Sequence, residues 1–558
     1  FVKDRYGEKG YAVRQGMSPK LQALADIHHY SNLKFEYSSN SGITYIYIFS
    51  AVGMIILMIT AVNFINLTTA RASTRVKEVS IRKAIGAPRI QIITQLLLEN
   101  LLFVTIAFGV ALVLVLVLNT PFNNLAGKDI QVFAPITTTN WVFILIGILT
   151  MGLCSGIYPA IFLSAHSFNR QNSLTKPHGV QNPRNFLVIF QFVLSSVMII
   201  GVIVIDRQLR LFQNSELGFD KTANIIVRIP DKDIKDKHES FRKELLRNSS
   251  IHNVSFVQTF PGERDKMAVL VYEVENGDET TIIPTFLTDL HFANTLGINI
   301  IQGRDFDNSL PGDRNNCLIN RKTAELMGWS EVEAIGREMH AVDLKLKGEV
   351  IGVLENFNFS SLHHEIEPVV IFPVLQFPQA FNSAIINIDK QQITSSVATI
   401  ERIWREFSVE APFDYTLLDD HLKILYRDDL LKSKIFRLFG VLSVIISSIG
   451  LFGLTIYTLE RRTKEISIRK VLGATVNNVV MLISGNFLML VLIANIIAIP
   501  IAFWISKIWL SEFPYRIKLT TNIFLYATIL SLLIAFLTII YSTIKKALVN
   551  PADQLKYE

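Results

Sequence analysis

Seven stretches of this 558-residue sequence are long and apolar enough to cross a lipid bilayer, and nothing else in the chain limits its fold so strongly. A hydrocarbon core of roughly 30 Å takes about 20 apolar residues in helical form. The stretches fall at about 43–68, 96–118, 141–164, 186–205, 433–458, 482–506 and 522–543. Half of all residues are hydrophobic and the mean hydropathy is +0.35, a value that comes from these dense blocks and not from an even spread. Between the fourth and fifth stretches, residues 206–432 are polar and numerous enough to fold as a domain of their own. The only cysteines are Cys154 and Cys317, which excludes a disulfide framework. The chain opens at Phe1 with 42 polar residues and no basic leader or cleavage signal. The expectation is a chain truncated at its N-terminus.

Charge orients the spans. Short loops on the cytoplasmic side of a membrane protein carry the excess of Lys and Arg. The loop after the first stretch holds Arg71, Arg75, Lys77, Arg82, Lys83 and Arg89; the loop after the third holds Arg170, Lys176 and Arg184. The loop after the fifth holds Arg461, Arg462, Lys464, Arg469 and Lys470, and the tail holds Lys545, Lys546 and Lys556. All four fall on one side, which is therefore cytoplasmic. Of the opposite loops, 119–140 balances Lys128 with Asp129, while 507–521 dissents mildly with Lys507, Arg516 and Lys518 against Glu512. Residues 206–432 are then extracytoplasmic.

An internal repeat gives the chain its plan. Arg75-Val-Lys-Glu-Val-Ser-Ile-Arg-Lys-Ala-Ile-Gly-Ala87 returns as Arg462-Thr-Lys-Glu-Ile-Ser-Ile-Arg-Lys-Val-Leu-Gly-Ala474, identical at nine of thirteen positions. Each copy follows a span that enters the cytoplasm. A weaker echo, Pro159 to Leu163 and Pro551 to Leu555, closes the two halves. Glu78 stands four residues before Arg82, and Glu465 four before Arg469, the favourable order for a helical ion pair. Gly86 and Gly473 supply the C-terminal stop of such a helix. Arg75, Glu78 and Arg82 make one polar stripe, repeated by Arg462, Glu465 and Arg469. Membrane anchoring needs charge but no order; Glu, Ser and Gly kept in register twice point to a shape recognised by a partner.

At these residues the sequence resembles the FtsX-like, MacB-type permease family of ABC systems, in its long duplicated form. The resemblance implies a membrane α-helical protein, seven transmembrane helices here, with an α+β extracytoplasmic domain of the MacB periplasmic-core type. The implied plan is a remnant of a first extracytoplasmic domain at 1–42, a three-helix unit at 43–164, a cytoplasmic linker at 165–185, one span at 186–205, the large domain at 206–432 and a second three-helix unit with its tail at 433–558. It implies that the repeated helix docks on a separate ATPase subunit through Arg75, Glu78, Arg82, Lys83 and Gly86 in one copy and Arg462, Glu465, Arg469, Lys470 and Gly473 in the other. Such permeases pass ATP-driven motion to the extracytoplasmic domain. The implied location is the bacterial inner membrane, with lipid, the ATPase and, in an efflux role, a periplasmic adaptor and an outer-membrane channel as partners. A sensor of antibiotic peptides or a regulator of cell-wall hydrolases is the alternative role within the same family.

Other chemistry is sparse. No G-x-x-x-x-G-K-[ST] phosphate loop occurs, so ATP is expected on the partner and no cofactor, metal or nucleic acid on this chain. The spans hold almost no ionisable residue, with Glu99 at a cytoplasmic end and Asn63, Asn66, Asn486 and Asn495 neutral, which disfavours a proton-coupled carrier. In 206–432, strand-like runs lie at 223–229, 253–258, 348–353, 369–372 and 383–388, with helical patterns near 239–247 and 391–407. The outer parts pair as a split βαβ-type unit, with about 300–372 inserted as a second lobe. His363-His364-Glu365 lacks the second histidine of a zinc motif because Pro368 stands there, and it reads, like His28-His29, as ordinary surface histidines. Asp305, Asp307 and Ser309 open like a calcium loop but meet Leu310 where Gly belongs, and read as a solvated turn. Ser443 and Ser447 have the spacing of a small-residue contact between helices.

Overall fold

The computed structural model describes residues 43–72, 76–127, 129, 142, 144–153, 156–157, 182–273, 280–408 and 410–547. In chain order the helices of the first half are α1 (Ile43–Ala72), α2 (Val76–Ala84), α3 (Arg89–Ala126) and α4 (Ile144–Leu153), and α5 (Asn182–Asn214) leads into the large domain. After that domain come α9 (Arg427–Arg461), α10 (Thr463–Val471), α11 (Val476–Leu510) and α12 (Thr521–Ala547). Six of these, α1, α3, α5, α9, α11 and α12, are long and apolar enough to span a bilayer. The third of the seven expected stretches is represented by α4, which is shorter; most of the rest of 141–164 lies outside the described residues, as do 1–42, 158–181 and 548–558.

The membrane helices run past their apolar stretches. α5 and α9 carry polar turns toward the large domain, tied together by Arg437 Nη2 donating to Asp206 Oδ1 at 2.6 Å. Gln208 of α5 is buried and clamps the loop between α11 and α12: its Nε2 donates to the Tyr515 carbonyl at 2.7 Å and its Oε1 accepts from Ile517 N at 3.0 Å. Deeper in, Asn495 of α11 donates to Ser531 Oγ of α12 at 2.9 Å, giving a buried amide the partner that lipid does not offer.

The domain's eleven described strands are β1 (Asn224–Arg228), β2 (Ile251–Val257), β3 (Ala268–Glu273), β4 (Thr280–Thr288), β5 (Ile300–Gly303), β6 (Cys317–Asn320), β7 (Glu338–Ala341), β8 (Leu346–Leu354), β9 (Val370–Pro373), β10 (Ser383–Ile388) and β11 (Tyr415–Leu417). They pair in the order β11-β1-β10-β2-β4-β3-β7-β8-β6-β9, with β5 on β8 and β4 also parallel to β9. At one end β11, β1, β10 and β2 are mutually antiparallel. With α6 (His238–Leu245) and α7 (Ile393–Phe407) they make the split βαβ arrangement expected of the outer parts, and α8 (Leu418–Leu425) follows β11. The inserted part starts earlier than expected, since β3 and β4 already belong to it and β2 meets β4 only at Val257 and Thr288. Residues of one strand divide between two cores: Ile225 and Val227 pack under α6 and α7 with Phe241 and Trp404, whereas Ile226 faces Phe260, Phe286 and Phe357 on the other side. Burial on both faces is why these strands read as continuous apolar runs.

Candidate functional site

The two repeat helices have the same geometry. In α2, Arg82 Nη2 lies 2.8 Å from Glu78 Oε1; in α10, Arg469 Nη2 lies 2.9 Å from Glu465 Oε1. Both pairs are exposed, so each contributes only about 0.3–0.5 kcal/mol and serves to orient the guanidinium. Both helices end in a Schellman turn. Gly86 N donates to the Lys83 carbonyl and Ala87 N to the Arg82 carbonyl, each at 3.0 Å; Gly473 N donates to Lys470 at 3.0 Å and Ala474 N to Arg469 at 2.9 Å. The two glycines have φ of 101° and 93°, where a Cβ costs about 1–2 kcal/mol.

The helices also expose something the polar reading passed over. Val79 and Ile466, equivalent in the repeat, are buried, but Ile81 and Ile468 are exposed, and Ile85 and Leu472 are 82% and 81% exposed at the two helix ends. The signal was present in the shared Ile and the Ile/Leu pair just before each Gly. Next to the Glu–Arg stripe, each helix therefore presents an apolar tip. The stripe itself differs between copies. Arg82 Nη1 donates to Gln95 Oε1 at 2.6 Å and Gln95 Nε2 to Glu99 Oε1 at 3.2 Å, a chain the second copy lacks because Leu482 and Asn486 stand at those positions. Arg462 precedes α10 and lines a cavity of about 310 Å³ with Asn185, Val188, Leu454, Ile483 and Phe487. Arg75 lies outside the described residues.

α9 joins this end of the molecule to the large domain as one helix of 35 residues, about 50 Å at 1.5 Å per residue. Where it begins, the domain's second core closes over it. His363 Nε2 lies 2.8 Å from Asp429 Oδ2, and its ring packs on Phe212 of α5 at 5.2 Å and Phe513 after α11 at 5.4 Å. Tyr426 accepts from Leu362 N at 2.9 Å and stacks near Phe212, and burial pushes its phenol above the ordinary range. His363 is thus a half-buried contact between the domain and two membrane helices, not an ordinary surface histidine; Pro368 in place of a second histidine says nothing of this packing. Among the described residues no group of His, Cys, Asp and Glu suits a metal. Asp307 closes the expected turn, accepting from Ser309 N and Oγ at 2.8 and 2.7 Å.

Residues 50–168 and 437–551 each match a family model described as FtsX-like permease C-terminal. No curated protein matches the chain. Among solved structures, the periplasmic region of MacB from Actinobacillus actinomycetemcomitans aligns over 38% of this chain and 95% of its own, at 13% identity and a TM-score of 0.27. The extracellular domain of the ABC-type transporter YknZ from Gram-positive bacteria aligns over 35% of this chain and 98% of its own, at 16% identity and a TM-score of 0.26.

Proposed function

We propose that the chain, whose residues 50–168 and 437–551 match the FtsX-like permease C-terminal model and which carries helices of membrane-spanning length, is a multi-pass membrane subunit of permease type that couples a separate ATPase to movement of its large domain outside the cytoplasm. The observation that carries the proposal is the duplicated α2/α10 geometry: one ion pair, one Schellman turn and one exposed apolar tip, built twice. A dimeric ATPase offers two like grooves, and one chain offers two like helices. Ile85 and Leu472 are the anchors that enter those grooves, because docking energy resides in apolar side chains that become fully desolvated. Glu78, Arg82, Glu465 and Arg469 set the angle of docking. Closure of the ATPase dimer moves α2 and α10, and α9, continuous from α10 to Asp429, carries that motion to the domain. The location is the bacterial inner membrane, with residues 206–432 outside the cytoplasm, as the basic short loops support.

The test is charge reversal, Glu465→Arg with Arg469→Glu, in parallel with Leu472→Asp, followed by pull-down of the ATPase and its permease-stimulated hydrolysis. Loss of binding in Leu472→Asp, with weaker or mis-coupled hydrolysis in the charge-reversed chain, is the expected outcome. Unchanged binding and turnover in both would defeat the proposal.

A further inference from the structure

Asn63 and Gly450 are equivalent residues of the duplication. Each stands twelve positions before the arginine that opens its repeat, Arg75 or Arg462, and the family matches begin at 50 and 437, the same 387 positions apart. In the fold these equivalent positions meet. Asn63 Nδ2 of α1 donates to the Ile446 carbonyl of α9 at 3.3 Å, and its Oδ1 lies so close to Gly450 that a Cβ there would have to displace the Asn63 side chain. One turn on, Leu67 Cδ2 occupies the space a Cβ on Gly453 would need. From the other side Gln191 of α5 donates to the Ser447 carbonyl at 2.9 Å and approaches the same glycine. Contacts that advance from 63 to 67 on one helix and from 450 to 453 on the other make α1 and α9 parallel and in register.

Equivalent positions meeting in register is the geometry of a twofold interface, in which a surface meets its own copy. Here the two surfaces differ where they touch. The first half carries Asn63 as a projection where the second carries Gly450 as a recess; one turn on, the leucine is common to both halves, as Leu67 and Leu454, and the recess of Gly453 has Asn66 as its first-half equivalent. Lipid gives helices no hydrophobic reason to associate, so close packing and hydrogen bonds between helices decide which surfaces pair. The Asn63 amide, buried in the membrane, needs a carbonyl, and it reaches that of Ile446 because Gly450 has no side chain. Two first halves would set Asn63 against Asn63 with no recess. Two second halves would set glycine against glycine with no amide to bond the exposed carbonyl. We propose that Asn63 on Gly450 forms a keyed contact by which the first half of the chain takes the second half of the same chain as its partner, in preference to the matching half of a second copy.

Two measurements on the full chain in lipid nanodiscs test this. The first is oxidative cross-linking of Asn63→Cys with Gly450→Cys, beside each single variant. The expected result is a cross-link within one chain for the pair and no chain-to-chain cross-link for Gly450→Cys alone. Chain-to-chain cross-linking by Gly450→Cys as efficient as the cross-link within the pair would overturn the key. The second is thermal unfolding of Gly450→Ala and of Asn63→Ala/Gly450→Ala. Alanine in place of glycine inside a helix is ordinarily favourable, so a lowered Tm in Gly450→Ala that is largely regained in the double variant supports the contact. A Gly450→Ala chain as stable as the parent, or a double variant no better than Gly450→Ala, overturns it.

Discussion

Asp289 is fully buried in the large domain and satisfies its charge locally. It pairs with Arg242, accepts from Ser255 Oγ at 2.7 Å and from Phe256 N at 2.8 Å, and caps His291 N at 2.9 Å. The His291 ring is held below the ordinary histidine pKa of about 6.5, first by burial and then by the Arg242 charge, with Asp289 and Glu239 opposing. Burial does the same to His421, where Arg228 and Lys266 add to it and Glu263 opposes. A histidine whose folded pKa is depressed binds its proton more weakly when folded. The stability it contributes is complete above about pH 6.5 and is lost as pH falls toward the lowered folded value. The Tm of the full chain therefore falls as pH drops below about 6.5, and the fall is shallower in His291→Gln/His421→Gln. Calorimetry across that range checks this, and an unaltered slope in the double variant would refute it.

At the scale of elements, the ends of α2 and α10 matter more than their lengths. Nine residues make a helix that is marginal on its own, so the glycine that turns the chain decides where the exposed tip points. Gly473 has φ of 93° and open space around it, and Gly473→Ala meets backbone strain of about 1–2 kcal/mol and no clash. The expected outcome is normal assembly with permease-stimulated ATP hydrolysis reduced several-fold. Gly485→Ala in α11 is the control, since that glycine has no positive φ and nothing within 4 Å of a new Cβ. Equal hydrolysis in the two variants would show that the turn has no part in coupling.

For the whole molecule, the question is whether motion at α10 reaches the domain. In the proposed coupling the route runs along α9 to the joint of His363, Asp429, Phe212 and Phe513. His363→Ala removes three edge or tilted ring contacts, with Phe212, Tyr426 and Phe513, each about 0.5–1.5 kcal/mol, and a part-exposed hydrogen bond to Asp429 of about 1 kcal/mol. That loss loosens a joint without unfolding an eleven-stranded sheet. In His363→Ala the ATPase still binds and turns over, while the nucleotide-dependent change in protease protection of residues 206–432 is lost. A protection pattern that still responds to nucleotide would place the route elsewhere.

The sequence alone determined what depends on local pattern. Apolar runs of membrane length marked the spans, because lipid demands about 20 such residues wherever they occur. Glu78–Arg82 and Glu465–Arg469 at four-residue spacing, each followed by a glycine, specified a short paired helix with a fixed stop, and both stand as read. Strands buried on both faces, such as β1, β8 and β10, were legible as apolar runs. β4 was not, since Pro284 breaks its pattern, and β6 is four residues long; β4 pairs with β3 beside it and with the distant β9, and β6 is held by β8 and β9. Only the tertiary structure decided that Ile85 and Leu472 stay uncovered, that His363 closes against Asp429, and that Asn63 settles on Gly450. Each of these is a contact, or the lack of one, between residues far apart in sequence, and no spacing rule reaches across 387 positions.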